Sequence, residues 1–254
     1  MNSLGNNDIL IVKNLSKIYH ENKGEILAIK DLNLSVKDGE FLAIVGPSGC
    51  GKTTLLSILC DLEKKSGGNI IYPKDKLTIG YMLQTDTLFP WLTILDNCLL
   101  GLKVRKELTK ENIMKVKDLL NSYGLKDFIK KYPSNLSGGM KQRVALIRTL
   151  AINPDIILLD EPFSALDYQT RLSVSDDVWK IIKKEKKTVI MITHDIAEAV
   201  SMADRVIVLT SRPTKVKSEY KINMKDKSSP IKNRNLKEFK EYYDKIWKDI
   251  DIHV

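Results

Sequence analysis

Cysteine is scarce: Cys50, Cys60 and Cys98 are the whole complement in 254 residues. Three thiols so scattered exclude a disulfide framework and a cysteine-ligated zinc site. Cys60 reads as a core residue at the end of a helix. Long hydrophobic runs are missing as well. No uninterrupted apolar stretch approaches the roughly 18 residues needed to span a bilayer, and Met1–Asp8 lacks the basic and apolar regions of a signal peptide. The chain is therefore expected in the cytosol, or on a membrane by docking to another protein. There is no internal repeat, and charge is not segregated. The formal charge is +9, yet the lysines are interleaved with acids, as in Lys180–Lys187. That describes a solvated face better than a nucleic-acid surface, so no nucleic acid is expected as a partner. Attraction to an anionic membrane surface explains the excess equally cheaply.

What is present centres on Gly46-Pro47-Ser48-Gly49-Cys50-Gly51-Lys52-Thr53-Thr54, which matches the pattern G-x-x-x-x-G-K-[ST]. Phe41–Val45 reads as a buried strand leading into it, and Thr53–Cys60 as a helix starting inside it. The glycines let the backbone turn tightly and approach an anion, so that several N–H groups and the positive end of the helix dipole converge on it. Lys52 adds a mobile charge for β- and γ-phosphates, and the Thr53 hydroxyl is placed to ligate Mg²⁺. The expected ligand is a nucleoside triphosphate. Because Cys50 lies within the loop, modification of its thiol is expected to block nucleotide binding. The chain length suits one large domain, or one domain with inserted lobes.

Before the loop, Asp8–Asn14, Glu25–Lys30 and Leu32–Val36 read as strands, and Asp38-Gly39 as a turn, giving a small antiparallel sheet. Tyr19 precedes that sheet's return; its residue type alone fits a core or surface tyrosine as well as a base-stacking platform. After the loop helix, Lys64–Gly68 breaks the chain, and Leu77–Leu83 is a strand ending at Gln84, where an amide can reach Mg²⁺ or water. Leu88, Phe89, Pro90, Trp91 and Leu92 either plug the core or form an apolar docking patch. From Thr93 to Leu150 helix signals replace strand signals. Thr93 caps Ile94–Leu102, Thr109 opens a helix running to about Tyr123, and a shorter helix follows Gly124 to Lys131.

Leu136–Arg143 is the second informative stretch. Ser137 is a good N-cap, and Met140, Val144, Ile147 and Ala151 recur on one helical face. With the amides of Gly138 and Gly139, Ser137 makes either a second anion site or simply a capped amphipathic helix. Asp155–Asp160 is a near-continuous apolar run expected of a parallel strand, delivering Asp160 and Glu161 to its carboxyl end. Asp160 suits a Mg²⁺ shell, and Glu161 can orient and polarise a water. A helix runs from Asp167 to about Lys184. Thr188–Thr193 is the next buried strand, with His194 at its end as either a structural histidine or a γ-phosphate contact. Arg205–Thr210 is a further strand, Lys215–Met224 adds edge strands, and Lys225–Arg234 reads as a surface linker. In the last segment Leu236, Phe239, Tyr243, Ile246, Trp247 and Ile250 recur at helical spacing, with Asn235 and Glu238 placed as a capping box.

Taken together, the phosphate loop, Gln84, Leu136–Arg143, Asp160-Glu161, Ser164–Asp167 and His194 resemble, in order and spacing, the ATP-binding cassette (ABC) ATPases. Within that family the chain resembles importer subunits of the nitrate, sulfonate and taurine branch. The carriers of this narrower likeness are Leu88–Asn97, Thr193–Ala199 with Ala203–Arg205, and Ser211–Pro213. Cys60-Asp61-Leu62 and Met82-Leu83 depart from the commoner pattern, and pyrimidine-precursor importers share much of it.

The resemblance implies an α/β fold: a P-loop NTPase (RecA-like) core over 41–87 and 151–224, an N-terminal antiparallel β part over 8–40, a helical part inserted over 88–150, and a linker with a C-terminal amphipathic helix over 225–254. It implies that Tyr19 stacks on adenine and that residues 46–54 hold the phosphates. Thr53, Gln84 and Asp160 attend Mg²⁺; Glu161 is the general base; Lys52, His194 and Gln84 position the γ-phosphate and water. It further implies head-to-tail pairing of two copies, with Ser137, Gly138 and Gly139 completing the partner's ATP site and Asp167 bridging the two sites. Leu88–Leu92 would dock a membrane permease at the cytoplasmic face of the cell membrane, in a complex with an extracytoplasmic solute-binding protein. Two rival readings are a non-transport ABC ATPase acting on nucleic acid or the ribosome, and a P-loop kinase; the second would be expected to lack the Leu136–Arg143 stretch.

Overall fold

The computed structural model describes residues 7–21 and 24–250. Residues 1–6, where no leader was read, and the last four of the C-terminal segment lie outside them. The chain divides into two compact units, Met1–Leu77 with Lys186–Val254, and Thr78–Glu185.

The first unit opens with β1 (Asp8–Glu21) and β2 (Gly24–Lys37), an antiparallel pair. Three short strands were expected over this stretch. The ladder instead runs on through register shifts at Val12/Leu15 and Leu15/Lys17, absorbed where Asn14 (φ 50°) and Asp31 (φ 49°) take the left-handed conformation that their side chains tolerate. β3 (Phe41–Val45) leads into the phosphate loop and α1 (Lys52–Leu59). β4 (Gly67–Ile71) then pairs antiparallel with β1, giving a three-stranded sheet of order β2-β1-β4 where sequence suggested only a break. Gly68 makes this pairing possible: at φ +81° a Cβ would stand 2.3 Å from the Asn14 carbonyl oxygen.

The second unit holds β5 (Ile79–Met82), α2 (Ile94–Val104), α3 (Lys110–Ser122), α4 (Gly138–Ala151), β6 (Ile156–Asp160) and α5 (Tyr168–Lys184). β5 and β6 pair in parallel. Thr93 and Thr109 cap α2 and α3 by accepting from the amides of Asp96 and Asn112. The apolar faces of α2, α3 and α4 share a core that includes Ile94, Cys98, Leu102, Val116, Leu120, Val144 and Ile147. The shorter helix expected before Lys131 is a single 3₁₀ turn at Lys126–Phe128.

Back in the first unit come β7 (Thr188–Ile192), α6 (Ile196–Met202), β8 (Arg205–Leu209), β9 (Val216–Lys221), α7 (Pro230–Asn233) and α8 (Lys237–Ile250). β3 lies between β7 and β8, parallel to both, and β9 adds antiparallel to β8. β3, β7 and β8 are buried at every residue, which is why they read as unbroken apolar runs. The expected surface linker is folded: Asn233 is fully buried and donates to the Ser201 carbonyl at 2.7 Å. Among its polar residues Asn233 serves buried hydrogen bonding, while Lys225, Asp226 and Lys232 remain exposed.

Candidate functional site

In the first unit the phosphate loop curls from the end of β3 to the start of α1. Gly51 is the N-cap residue of α1 at φ +112°, a conformation open to glycine, and with no side chain it places no oxygen over the helix's first amides. The loop thus keeps the positive helix end available to an anion. Lys52 is buried, and its ammonium donates to the carbonyls of Gly46 and Pro47, each at 2.9 Å. Ser48, Gly49 and Thr53 are exposed. The Cys50 thiol is buried, and burial pushes its pKa up against the opposing pull of Lys52 and Arg212.

Beside the loop lies a cleft of about 300 Å³ lined by Tyr19, Ile26, Ala28, Gly51, Thr54 and Arg212. The β1–β2 register sets Tyr19 opposite Ile26, and the Tyr19 hydroxyl lies 3.2 Å from Thr54 Oγ1. The Lys17 ammonium sits 4.6 Å from the centroid of the Tyr19 ring. Glu63 Oε1 and the Lys64 carbonyl hold that ammonium at 2.6 and 2.8 Å. Tyr19 is therefore braced rather than free to swing.

His194 follows β7 on a turn with its own supports. Buried Thr193 donates to Glu198 Oε2 at 2.7 Å and accepts from the Asp195 amide, while Asp195 caps α6 through the amides of Ala197 and Glu198. His194 itself is exposed.

In the second unit β6 ends in Asp160, which is 4% exposed and accepts a hydrogen bond from the Tyr81 hydroxyl at 3.1 Å. The next residue, Glu161, is at φ +44°, a left-handed backbone that costs a non-glycine residue on the order of 1 kcal/mol and tends to collect at functional sites. Gln84 Nε2 stands 3.3 Å from Glu161 Oε2 and 3.4 Å from Ser164 Oγ. Gln84 is thus brought against a single later segment that carries Glu161 and Ser164, directly after Asp160. Ser137 and Asp167 act as helix caps: Ser137 accepts from the Met140 amide at 3.4 Å, and Asp167 from the Thr170 amide at 3.1 Å. Hydrogen bonds from the Thr170 side chain and amide hold the Asp167 carboxyl below its usual range. Gly138 is exposed and Gly139 is buried.

The loop at Leu88–Leu92 divides between core and surface. Leu88 is buried in the helical core, whereas Phe89 is 36% and Trp91 70% exposed, their rings 5.2 Å apart. Buried Asn97 fixes this display, accepting from the Phe89 amide and donating toward the carbonyls of Phe89, Leu92 and Thr93. Sequence reasoning missed Lys17, Tyr81, Asn97, Arg148 and Arg212. Arg148 donates to the carbonyls of Asp86 and Thr87, each at 2.8 Å, and latches the stretch after Gln84. Of these, Tyr81, Asn97 and Arg212 lay in stretches already singled out.

A glycine-rich loop entering a helix, and a buried strand ending in paired acids, define the class: this is a phosphate-loop ATPase. Family comparison sharpens this. The family described as "ABC transporter" matches residues 29–164, and the chain belongs to the ABC transporter ATPases, which bind and hydrolyse ATP. It is 42% identical over 248 residues to an ABC transporter ATP-binding protein of Bacillus subtilis, covering 95% of each chain. It is 38% identical to the nitrate import ATP-binding protein of Synechocystis sp., covering 93% of each. With the taurine import ATP-binding protein of Pelagibacter ubique the identity is 42%, over 84% of this chain and 83% of the relative. Among solved structures, an ATP-binding cassette determined as a dimer in a post-hydrolysis state with ADP and Pi superposes with TM-score 0.71 at 35% identity, over 85% of this chain and 99% of that one.

Proposed function

We propose that the chain is the ATP-hydrolysing subunit of an importer for a small solute of the nitrate, sulfonate or taurine kind, or a pyrimidine precursor. The observation that carries this reading is its near end-to-end similarity to proteins named for nitrate and taurine import. Those names also leave the nucleic-acid or ribosome reading unfavoured. Among the described residues no helix is long and apolar enough to cross a membrane, so in this reading the chain attaches to the cytoplasmic face through a permease, with an extracytoplasmic solute-binding protein beyond it.

In the proposed mechanism Tyr19 stacks on adenine, while the amides of residues 46–54 and the Lys52 ammonium grip the phosphates. A phosphate oxygen offers Lys52 a charged acceptor in place of the Gly46 and Pro47 carbonyls. Thr53, Asp160 and Gln84 supply the hard oxygen donors that Mg²⁺ prefers, and bound Mg²⁺ would neutralise phosphate charge. Glu161 takes the proton of the attacking water; Gln84 and His194 orient that water and the γ-phosphate. Two copies pair head to tail, each ATP held by one copy's phosphate loop and by Ser137, Gly138 and Gly139 of the other, with Asp167 bridging the sites. Closure on ATP and release on hydrolysis move the permease.

The permease would dock through a cytoplasmic helix on Phe89 and Trp91, with a cleft of about 360 Å³ lined by residues including Leu83, Thr87, Leu100, Val104 and Arg105. Apolar exposure with a basic rim suits an amphipathic helix. Co-purification from membranes and ATP-driven solute uptake in vesicles test this reading. W91A is expected to lose permease association while keeping ATP binding. Salt-sensitive RNA capture without a permease would oppose it.

A further inference from the structure

Arg212 lies in a segment that the mechanism above leaves unused. Between β8 and β9, Thr210–Thr214 runs against the phosphate loop and takes two of its successive carbonyls: Arg212 Nε donates to the Gly49 oxygen at 2.6 Å, and Thr214 Oγ1 donates to the Cys50 oxygen. Thr214 is fully buried and locked to β2, its amide donating to Ala28 O at 2.9 Å and its carbonyl accepting from Lys30 N at 3.1 Å. Arg212 is therefore held two residues from a fixed anchor. Arg212 lines the cleft with Tyr19, Thr54 and Gly51, and its Nη2 lies 3.9 Å from where a Cβ on Gly49 would stand.

Nε–H is engaged by Gly49, and Arg212 lines the cleft. A guanidinium stays charged at every working pH, and its planar donors match phosphate oxygens. Lys52 occupies the hollow of the loop on the Gly46 and Pro47 carbonyls. Arg212 supplies a second cation on the cleft side, where the part of a nucleotide joining base to phosphates would lie. We propose that Arg212 is a further nucleotide-binding residue that donates to the phosphate chain of bound ATP or ADP. This rests on the reading of Tyr19 as the base platform.

The test is competition against a fluorescent ADP by ATP, ADP and adenosine, using wild type, R212Q, R212K and Y19A. R212Q is expected to weaken ATP and ADP about tenfold and to move adenosine by less than about twofold, with R212K intermediate because it keeps the charge without the fork. Equal weakening of ADP and adenosine by R212Q would overturn the proposal, since Arg212 would then only shape the loop. Unchanged ADP affinity in R212Q beside a weakened Y19A would overturn it too. Unchanged affinity in Y19A would instead overturn the placement of the base.

Discussion

The Gln84 side-chain amide donates toward the Glu161 carboxylate across 3.3 Å, joining the end of β5 to the end of β6 through side chains 77 residues apart in sequence. A neutral donor so placed steadies the carboxylate that is proposed to take a proton from water, without adding a charge that would hold the proton back. Q84A should lower the ATPase kcat about tenfold while ATP affinity stays within about threefold. Steady-state kinetics beside equilibrium binding would check this, and a pure rise in KM would contradict it.

Gly139 has a packing reason as well as a proposed nucleotide role. A Cβ there would meet Val174 Cγ2 at 2.7 Å and Thr170 Cγ2 at 3.2 Å, so α4 can approach α5 only without a side chain at this point. G139A is expected to cost about 1–3 kcal/mol by overpacking. In urea titrations the double variant G139A/V174A should lose less stability than the sum of the two single variants, because V174A is itself a core truncation. Simple additivity would show that the two positions do not press on each other.

The C-terminal helix is tied down by a pH-sensitive contact. Asp249 accepts hydrogen bonds from the hydroxyls of Ser218 and Tyr220 on β9, and these hold its carboxyl below the usual range. A depressed folded-state pKa means that the contact's stability is fully present above the unfolded value of about 3.9 and is lost as pH falls through the folded value. Hydrogen exchange should show α8 losing protection in acid. D249N should start with weaker protection at neutral pH and change less on acidification.

The three thiols should react in a set order. Cys98 is fully buried and pushed up to about 12 by desolvation; Cys50 is buried and also raised; Cys60 is only half-buried, though raised. Alkylation at neutral pH should label Cys60 first, Cys50 slowly, and Cys98 only on unfolding. Loss of nucleotide binding should follow Cys50 labelling alone. Retained binding after complete Cys50 alkylation would refute its place in the site.

Much of this architecture was legible because its signals are local. The phosphate loop, the caps at Thr93, Thr109 and Ser137, and the apolar runs of β3, β6, β7 and β8 each declare themselves within about ten residues, as capping and periodicity do. Pairing over distance was not legible. β4 joins β1 through a contact at Gly68 that no neighbouring residue announces. Tyr81 beside Asp160 is invisible until β5 and β6 are aligned, and the link from Arg212 to Gly49 spans 163 residues. The Leu88–Leu92 loop was ambiguous for a different reason. One apolar stretch sends Leu88 inward and Phe89 and Trp91 outward, and composition cannot report direction.

The most direct measurement is made on E161Q with ATP and Mg²⁺, following bound nucleotide by chromatography and mass by light scattering. Turnover should fall by about 10²–10⁴-fold, as loss of a general base implies, while unhydrolysed ATP accumulates in a dimer that wild type forms only transiently. A monomeric E161Q hydrolysing ATP near the wild-type rate would contradict both the assignment of Glu161 and the paired-site mechanism.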